Sequence, residues 1–312
     1  MNDNAWVLAI AASIGVATPI ALAALGAILH ERSGVLNLGV EGMMLIGAMA
    51  AFLAGDAWGN VWLSLICGVL AGGALGLVHG LLTISLRANQ IVTGLALVIF
   101  GTGLAKFLGE PVNGLKRPVT IDSVHITGLG DLPILGPVLF RQDVLVYATF
   151  ALAVATSIYV YRTRAGLALR AVGESPSSAD AQGISVVSVR YVHVLAGGVF
   201  AGAGGAYQAV ARAPSWNQEF TINGLGWIAL ALVVFSNWRP GRALVGALVF
   251  GFALRSQFTF QAQEVSFPPQ VWLQMMPYLL TIFVLILTSS PRAQRRLGAP
   301  AALGVPYARD ER

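Results

Sequence analysis

The stretch GVLNLGVEGMML, residues 34–45, interrupts an otherwise apolar region with three glycines, an asparagine and a carboxylate. The clean apolar run that follows Gly42 is too short to cross a bilayer alone, because a spanning helix needs about 20 residues. Residues 34–42 must therefore complete the crossing, or dip into the membrane and return. Either course takes the backbone near Gly34, Gly39 and Gly42 out of helical geometry, which lipid tolerates only where the freed groups face protein or a water-lined cavity.

The composition of the chain is typical of a polytopic membrane protein. Of its 312 residues, 56% are hydrophobic and only 11% are charged, whereas a soluble domain carries about 25% charged residues. The isoelectric point of 9.7 fits arginines in cytoplasmic loops. No loop combines a basic cluster with interleaved aromatic residues, so we expect no nucleic-acid partner. The single Cys67 and four scattered histidines lack metal-ligand spacing, so we expect no metal and no cofactor.

Apolar segments predict about nine membrane spans. Two long polar connections separate them: residues 110–142, rich in Pro and Gly, and residues 162–190, rich in Arg. The Arg-rich connection is expected in the cytoplasm, which places the N-terminus outside and the C-terminus inside. The predicted spans are 5–29, 34–55, 61–84, 90–109, 143–161, 191–211, 219–237, 242–260 and 271–289.

A second stretch of the same kind, EFTINGLGWIALAL at residues 219–232, also precedes a short apolar run. Gly226 there corresponds to Gly42, and a glycine-rich span follows each stretch. In the predicted topology the two copies run in opposite directions, which predicts an all-α fold of two inverted halves with a broken helix in each. Such breaks point to a transport pathway. Across a single domain, 1–312, we expect a first half at about 5–161, a cytoplasmic loop at 162–190, a second half at about 191–290 and a basic cytoplasmic tail at 291–312, disordered at its end.

Motifs that would make the chain an enzyme are absent from the sequence. There is no G-x-x-x-x-G-K-[ST] phosphate loop, and neither of the two lysines, Lys106 and Lys116, follows one. The sequence also lacks C-x-x-C, H-E-x-x-H and a G-x-S-x-G nucleophile turn. We expect no catalytic residue and no ATP binding by this chain itself.

Few polar side chains fall inside the predicted spans, and these are the candidates for a substrate pathway. Glu41 is the main one, since charge at membrane depth is functional by default; the alternative is a carboxylate near the interface that caps a helix or pairs with Arg32. The asparagines beside the breaks could line a polar path or equally cap helices. Trp227, next to the second break, is a candidate substrate contact, with packing in the core as the alternative. The candidate pathway residues are Asn37, Gly39, Glu41, Asn89, Asn223 and Trp227.

The loop RTRAGLALRAVGESPSSADAQGISVVSVRY, residues 162–191, is the most specific stretch of the chain. Ser175 suits the N-cap of a short helix, Pro176 its first position, and Gly183 its end. A short amphipathic helix on the cytoplasmic face is suited to docking another protein; a helix that lies on lipid is the alternative.

Four stretches, in this order and spacing, resemble the permease subunits of bacterial ABC importers. The branch serves ribose-like sugars, branched-chain amino acids and nucleosides, and the chain looks closest to the nucleoside-type permease that partners a basic-membrane-lipoprotein binding subunit. The resemblance covers about residues 15–290. The four stretches are HERSGVLNLGVEGMMLIGA (30–48), ANQIVTGLALVIFGTGL (88–104), AVGESPSSADAQGI (171–184) and GLGWIALAL (224–232).

The resemblance implies a subunit of an ATP-driven importer in the bacterial cytoplasmic membrane. Two permeases, often paralogues, pair in the lipid bilayer above ABC ATPase subunits, and an extracytoplasmic substrate-binding lipoprotein delivers the solute. The implied substrate is a nucleoside, with simple sugars or another small polar solute as the alternative. An ion-coupled secondary transporter is less favoured, because Glu41 is nearly alone among acidic groups within the spans. The implied coupling helix, which contacts the ATPase, comprises Arg170, Gly173, Glu174, Ser175, Pro176, Ala179, Asp180 and Gly183.

Overall fold

The computed structural model of the protein describes most of the chain. The described residues are 3–262 and 298–308, with isolated positions between them at 272, 275–276, 279–280, 282–283 and 286. The predicted span 271–289 lies outside the described residues apart from those positions, as does the first part of the predicted tail.

Helices make up nearly all of the described chain, as predicted. Outside them the described residues contain only two isolated β-bridges, Lys116 with Ser215 and Ser123 with Asp143. In chain order the helices are α1 (Asp3–Arg32), α2 (Val40–Trp58), α3 (Val61–Gly80), α4 (Gln90–Gly109), α5 (Val144–Arg162), α6 (Arg164–Glu174), α7 (Pro176–Ala181), α8 (Val186–Tyr207), α9 (Gln218–Thr221), α10 (Leu225–Phe235) and α11 (Pro240–Ala262). Short π-helical turns extend α3 and α8, at Leu81–Ser85 and Gln208–Arg212.

Seven helices of the described chain are long and apolar enough to cross a membrane: α1 to α5, α8 and α11. The predicted count of about nine is not confirmed. The predicted span 219–237 is not a single helix. It consists of α9, a break, and α10, whose 11 residues are too few to cross a bilayer alone. The polar residues between α9 and α10 end one helix and start the next.

Two helices form the centre of the bundle and others its rim. The most apolar windows of α1 and α2 are 67% and 72% buried, whereas those of α4 and α5 are 28% buried. Large apolar side chains stand out from the rim, such as Ile99 and Phe107 of α4, which are 74% and 76% exposed. The break between α1 and α2 therefore lies in the interior of the bundle.

Glycines let α3 and α8 approach backbone to backbone. A methyl group on Gly76 would lie 2.9 Å from Cα of Gly198, and one on Gly72 would collide with Cα of Gly202. Small residues at a crossing allow such close contact between membrane helices. These glycines therefore bring the backbones of α3 and α8 into direct contact.

The long connections lie at opposite ends of the bundle. Residues 110–142 precede α5 and residues 162–190 follow it, and the 19 residues of α5 span about 28 Å at 1.5 Å per residue. The C-terminal segment 298–308 packs at the same end as 162–190, where the amide of Ala302 donates to the carbonyl of Gly173 at 2.9 Å. Disorder is predicted for the last residues of the tail. Residues 309–312 lie outside the described residues, so that prediction stays a prediction.

Candidate functional site

The first break is shorter than predicted and ends earlier. Helix α1 runs to Arg32 and α2 starts at Val40, so only residues 33–39 leave helical geometry. The prediction that the backbone at Gly42 also leaves the helix is wrong. Gly42 lies in the first turn of α2, and its glycine allows α4 to pack closely: a methyl group there would lie 2.5 Å from the carbonyl oxygen of Leu97.

Side chains from three helices, together with Asn37 of the break itself, bond to the polar groups of this break. Asn37 is completely buried, and its Oδ1 accepts from the amide of Gly39 at 2.9 Å. Its Nδ2 lies 3.1 Å from Nδ1 of His30 in α1. The amide of Leu36 donates to Gln90 of α4 at 2.6 Å, and the carbonyl of Leu36 lies 3.1 Å from Nε2 of His79 in α3. The freed backbone thus faces protein, which is the condition for non-helical backbone at membrane depth.

The second break is a tight turn. Asn223 and Gly224 follow each other in the left-handed region, with φ of 47° and 85°, between the end of α9 and the start of α10. Glycine and asparagine are the residue types that adopt this conformation most readily. Gly224 is the N-cap of α10 and offers no side chain to cap that helix.

Glu41 connects the two breaks. It lies in the first turn of α2, and its two carboxylate oxygens accept from the amides of Gly224 at 2.8 Å and Gly226 at 2.7 Å. Gly226 packs so closely that a methyl group on it would lie 2.6 Å from Cα of Glu41. A carboxylate at a helix N-terminus satisfies otherwise unpaired amides and suits the helix dipole. Glu41 therefore caps α10, a helix that lies more than 180 residues away in the chain.

Glu41 has no contact with Arg32, which bonds elsewhere. Arg32 Nη2 donates to the carbonyl of Trp238 at 3.2 Å, and the indole of Trp238 donates to Glu31 at 2.8 Å. Sequence reasoning missed Glu31, because the predicted first span stopped before it. The signal was available in the run HER, residues 30–32, where α1 continues. This cluster joins the end of α1 to the corner between α10 and α11.

Asn89 and Trp227 occupy different settings from Asn37. Asn89 caps α4, with Oδ1 accepting from the amides of Ile91 and Val92 at 3.0 and 3.1 Å. The Trp227 side chain is 42% exposed, so the alternative of core packing is wrong for it. Gly39 packs against α4, where a methyl group on it would lie 3.4 Å from Cβ of Leu97. The structure therefore gathers Gly39, Asn37 and Glu41 at the first break and leaves Asn89 apart.

A cavity of about 660 Å³ lies beside the second break. One predicted pathway residue, Asn223, lines it. Sequence reasoning did not single out its two arginines, Arg212 and Arg255, as candidates. The polar groups on its wall are guanidinium, amide and hydroxyl groups, and Phe258 adds an aromatic ring. The polar lining consists of Gln208, Arg212, Ser215, Asn217, Thr221, Asn223 and Arg255.

The loop 162–190 begins its second helix as predicted. Ser175 is the N-cap of α7, with Oγ accepting from the amide of Ser178 at 3.4 Å, and Pro176 is the first residue. Gly183 follows the helix with φ of 79°. A side chain on Gly173, at the end of α6, would collide with the carbonyl of Arg32. The loop therefore touches α1 at the residue that precedes the first break.

A family profile described as "Branched-chain amino acid transport system / permease component" matches residues 9–285. The chain belongs to this permease family. It is the membrane-spanning permease of an ABC importer, and its family implies ATPase and binding-protein partners.

Relatives resemble the permease over almost their full length. It is 38% identical to the guanosine ABC transporter permease NupQ of Bacillus subtilis, covering 96% of each chain. It is 33% identical to the nucleoside ABC transporter permease NupC of Lactococcus lactis, covering 93% of each. It is 40% identical to TsgC13 of Haloferax volcanii, a protein named as a candidate glucose ABC transporter permease, covering 96% of this chain and 97% of that one.

The fold of the permease also resembles a solved transporter. The structure is an inward-facing ABC transporter described as a candidate of the metal-chelate type, with a TM-score of 0.53. The match covers 89% of this chain and 85% of that one at 14% sequence identity. At this identity the likeness concerns the fold alone.

Proposed function

We propose that this permease imports nucleosides as one of two paired membrane subunits. Two relatives that match it over nearly their whole length are named for guanosine and nucleosides. The structural observation that carries the proposal is the cavity beside the second break, whose wall combines amide, hydroxyl and guanidinium groups with the ring of Phe258. Hydrogen-bonding groups of this kind suit ribose hydroxyls and base edges, and an aromatic ring can stack on a base.

The proposed pathway runs along the two breaks. Asn37 and Gly39 shape the first break, Asn223 and Trp227 flank the second, and Glu41 holds them together. Asn89 enters this proposal as the cap of α4, the helix that packs on α2. Because Glu41 accepts from the backbone amides of Gly224 and Gly226 at the start of α10, opening this cap would let the two breaks separate during the change of access.

The proposed coupling element is the α6–α7 region, which contains the predicted set from Arg170 to Gly183, with exposed residues such as Glu174 facing the ATPase. The close contact of Gly173 with Arg32 supports it, since movement of α6 would reach the first break directly. In the proposed topology, the 162–190 loop and the C-terminus lie in the cytoplasm and the N-terminus lies outside, in the bacterial cytoplasmic membrane. The remaining proposed partners are a paralogous permease and an extracytoplasmic substrate-binding lipoprotein.

Import of a simple sugar is the second candidate. The relative named for glucose is 40% identical, and the polar wall of the cavity also suits sugar hydroxyls. The two candidates differ at Phe258, because a nucleoside base can stack on its ring and a sugar offers only C–H groups.

The test is uptake by proteoliposomes that contain the permease, its partner permease and its ATPase, with the binding protein added outside. We expect ATP-dependent uptake of [³H]guanosine that excess unlabelled adenosine reduces and excess glucose does not. Uptake of [¹⁴C]glucose with no guanosine uptake would replace the nucleoside assignment by the sugar one. Uptake driven by an ion gradient without ATP would contradict both.

Docking of the ATPase is tested by a matched pair of variants. Ser177 is exposed on α7, and Ser123 is exposed in the connection 110–142 at the opposite end. We expect Ser177→Arg to reduce co-purification of the ATPase with the tagged permease and Ser123→Arg to leave it unchanged. Equal recovery of the ATPase with both variants would remove α7 from the docking surface.

A further inference from the structure

The C-terminal segment GAPAALGVPYA, residues 298–308, is packed against the same end of the bundle as α6 and α7. Ala302 is only 8% exposed, and Leu303 packs against the main hydrophobic core. Basic composition alone predicts a solvated tail here. The burial instead indicates that this segment is an integral part of the fold.

Two backbone hydrogen bonds place the segment between the loop and the first break. The amide of Ala302 donates to the carbonyl of Gly173 at 2.9 Å, and the amide of Gly304 donates to the carbonyl of Gly34 at 3.1 Å. Gly173 lies near the C-terminus of α6, and Gly34 lies within the first break. Ala302 and Gly304, which are two residues apart in the tail, thus connect two elements that are about 140 residues apart in the chain.

Further contacts hold the segment on both sides. The amide of Gly298 donates to Oδ1 of Asn237, in the turn between α10 and α11. Arg190 of α8 is 2% exposed, and its Nη2 donates to the carbonyl of Val305 at 3.4 Å. The segment therefore contacts the loop, the first break, α8 and the end of the second broken helix.

The end of the segment also shapes the surface beside α7. Tyr307 packs on the apolar cluster of Val172, Ala179 and Val186, which comprises residues from α6, α7 and α8. Tyr307 also borders a pocket of about 520 Å³, whose wall includes Arg87 and Asp180. The tail thus contributes to the face that the proposed function assigns to the ATPase.

We propose that residues 298–308 form a coupling strap, which transmits movement of α6 and α7 to the first break. The inference rests on the proposed function, in which the ATPase moves these helices. Without the strap, α6 still contacts Arg32, the residue before the break, at Gly173. The backbone hydrogen bonds of the strap to Gly173 and Gly34 add a second connection. Unlike a packing contact, these bonds resist movement of α6 away from the break as well as towards it.

The main test compares two truncations of the full transporter in proteoliposomes. One ends after Leu297 and removes the strap, and the matched control ends after Ala308 and keeps it. We expect the strapless form to retain the partner permease and the ATPase, and to hydrolyse ATP. Its guanosine uptake per ATP hydrolysed should fall about fivefold, within the range by which residues that connect two sites change their coupling. The control should match the full-length chain.

Point variants at Gly304 provide a test that needs no truncation. Gly304 has φ of +80° with open space where a side chain would stand, so substitution there acts on the backbone conformation alone. Gly304→Val should lower uptake per ATP, because a β-branched residue disfavours this conformation, and Gly304→Asn should restore most of it. Equal values for the two variants would contradict the strap.

The other outcomes separate the strap from the proposed function. If the strapless transporter keeps full uptake per ATP, the strap is wrong and the proposed function stands. If truncation removes the ATPase from the purified complex, the tail acts in assembly and the coupling proposal is overturned. If the full-length chain neither binds an ATPase nor imports guanosine or glucose, the proposed function itself fails.

Discussion

The two breaks of this permease satisfy their backbone in opposite ways. The first, residues 33–39, is an extended segment whose polar groups bond to side chains of its own neighbourhood, chiefly Asn37 and Gln90. The second is a two-residue turn at Asn223 and Gly224 whose following helix is capped from the other half of the chain by Glu41. Side chains of the first half thus hold most of the first break, and the C-terminal segment bonds to it at Gly34, whereas the helix after the second break depends on a cap from the first half. We expect variants at the Glu41 cap to disturb both halves, and variants inside one break to act more locally.

The largest effect is expected from Glu41→Ala. It leaves the amides of Gly224 and Gly226 without an acceptor, and each unsatisfied buried donor costs about 1–3 kcal/mol. We expect a lower midpoint of thermal unfolding in detergent and a loss of ATP-dependent uptake. Glu110→Ala, which removes an exposed carboxylate, is the control and should change neither. An unchanged unfolding midpoint for Glu41→Ala would mean that the cap contributes little and that the two breaks are independent.

A somewhat smaller effect is expected from Gly226→Ala. The added methyl group would lie 2.6 Å from Cα of Glu41, so α10 must shift away from α2, and overpacking of this kind costs about 1–3 kcal/mol. Gly103→Ala is the matched control, because Gly103 is also in a helix and has open space around the added group. Thermal unfolding of both variants measures the difference. Similar midpoints would show that α10 moves freely against α2.

Asn37→Ala tests the first break alone. The loss of the buried hydrogen bonds to Gly39 and His30 should lower the free energy of unfolding by about 1–2 kcal/mol. Asn89→Ala is the comparison, since it removes only an exposed cap and should cost about 1 kcal/mol or less. We expect Asn37→Ala to lower the unfolding midpoint more than Asn89→Ala does. If the first break is held locally, the ratio of guanosine uptake to ATP hydrolysis in Asn37→Ala stays closer to wild type than in Glu41→Ala.

The smallest effect is expected at Asn223. Asn223→Gly should be nearly neutral, because glycine also adopts the observed φ of 47°, whereas Asn223→Ala should cost about 1 kcal/mol for the left-handed conformation. Unfolding midpoints check the order of the two variants. A uniform loss of uptake in both, with stability unchanged, would instead mark the Asn223 side chain as a contact in the pathway.

Local chemistry allowed much of this protein to be predicted from sequence. The apolar segments predicted an all-helical membrane protein, and Ser175, Pro176 and Gly183 predicted the bounds of α7. These features depend on neighbours within a few residues, so they can be predicted from the local sequence. The order and spacing of four stretches also indicated the permease family, which the profile match over residues 9–285 confirms.

Only the tertiary structure decided how the breaks are held. Sequence alone placed Gly42 outside the helix, whereas in the structure it is helical and its missing side chain makes room for α4. Glu41 could be a pathway charge or a cap, and the amides that donate to it lie more than 180 residues away. The packing of segment 298–308 could not be predicted from sequence either, because its partners Gly34 and Gly173 are distant in the chain. Helix bounds follow from nearby side chains, but a buried polar group takes whichever partner the fold brings to it, and no local pattern specifies that partner.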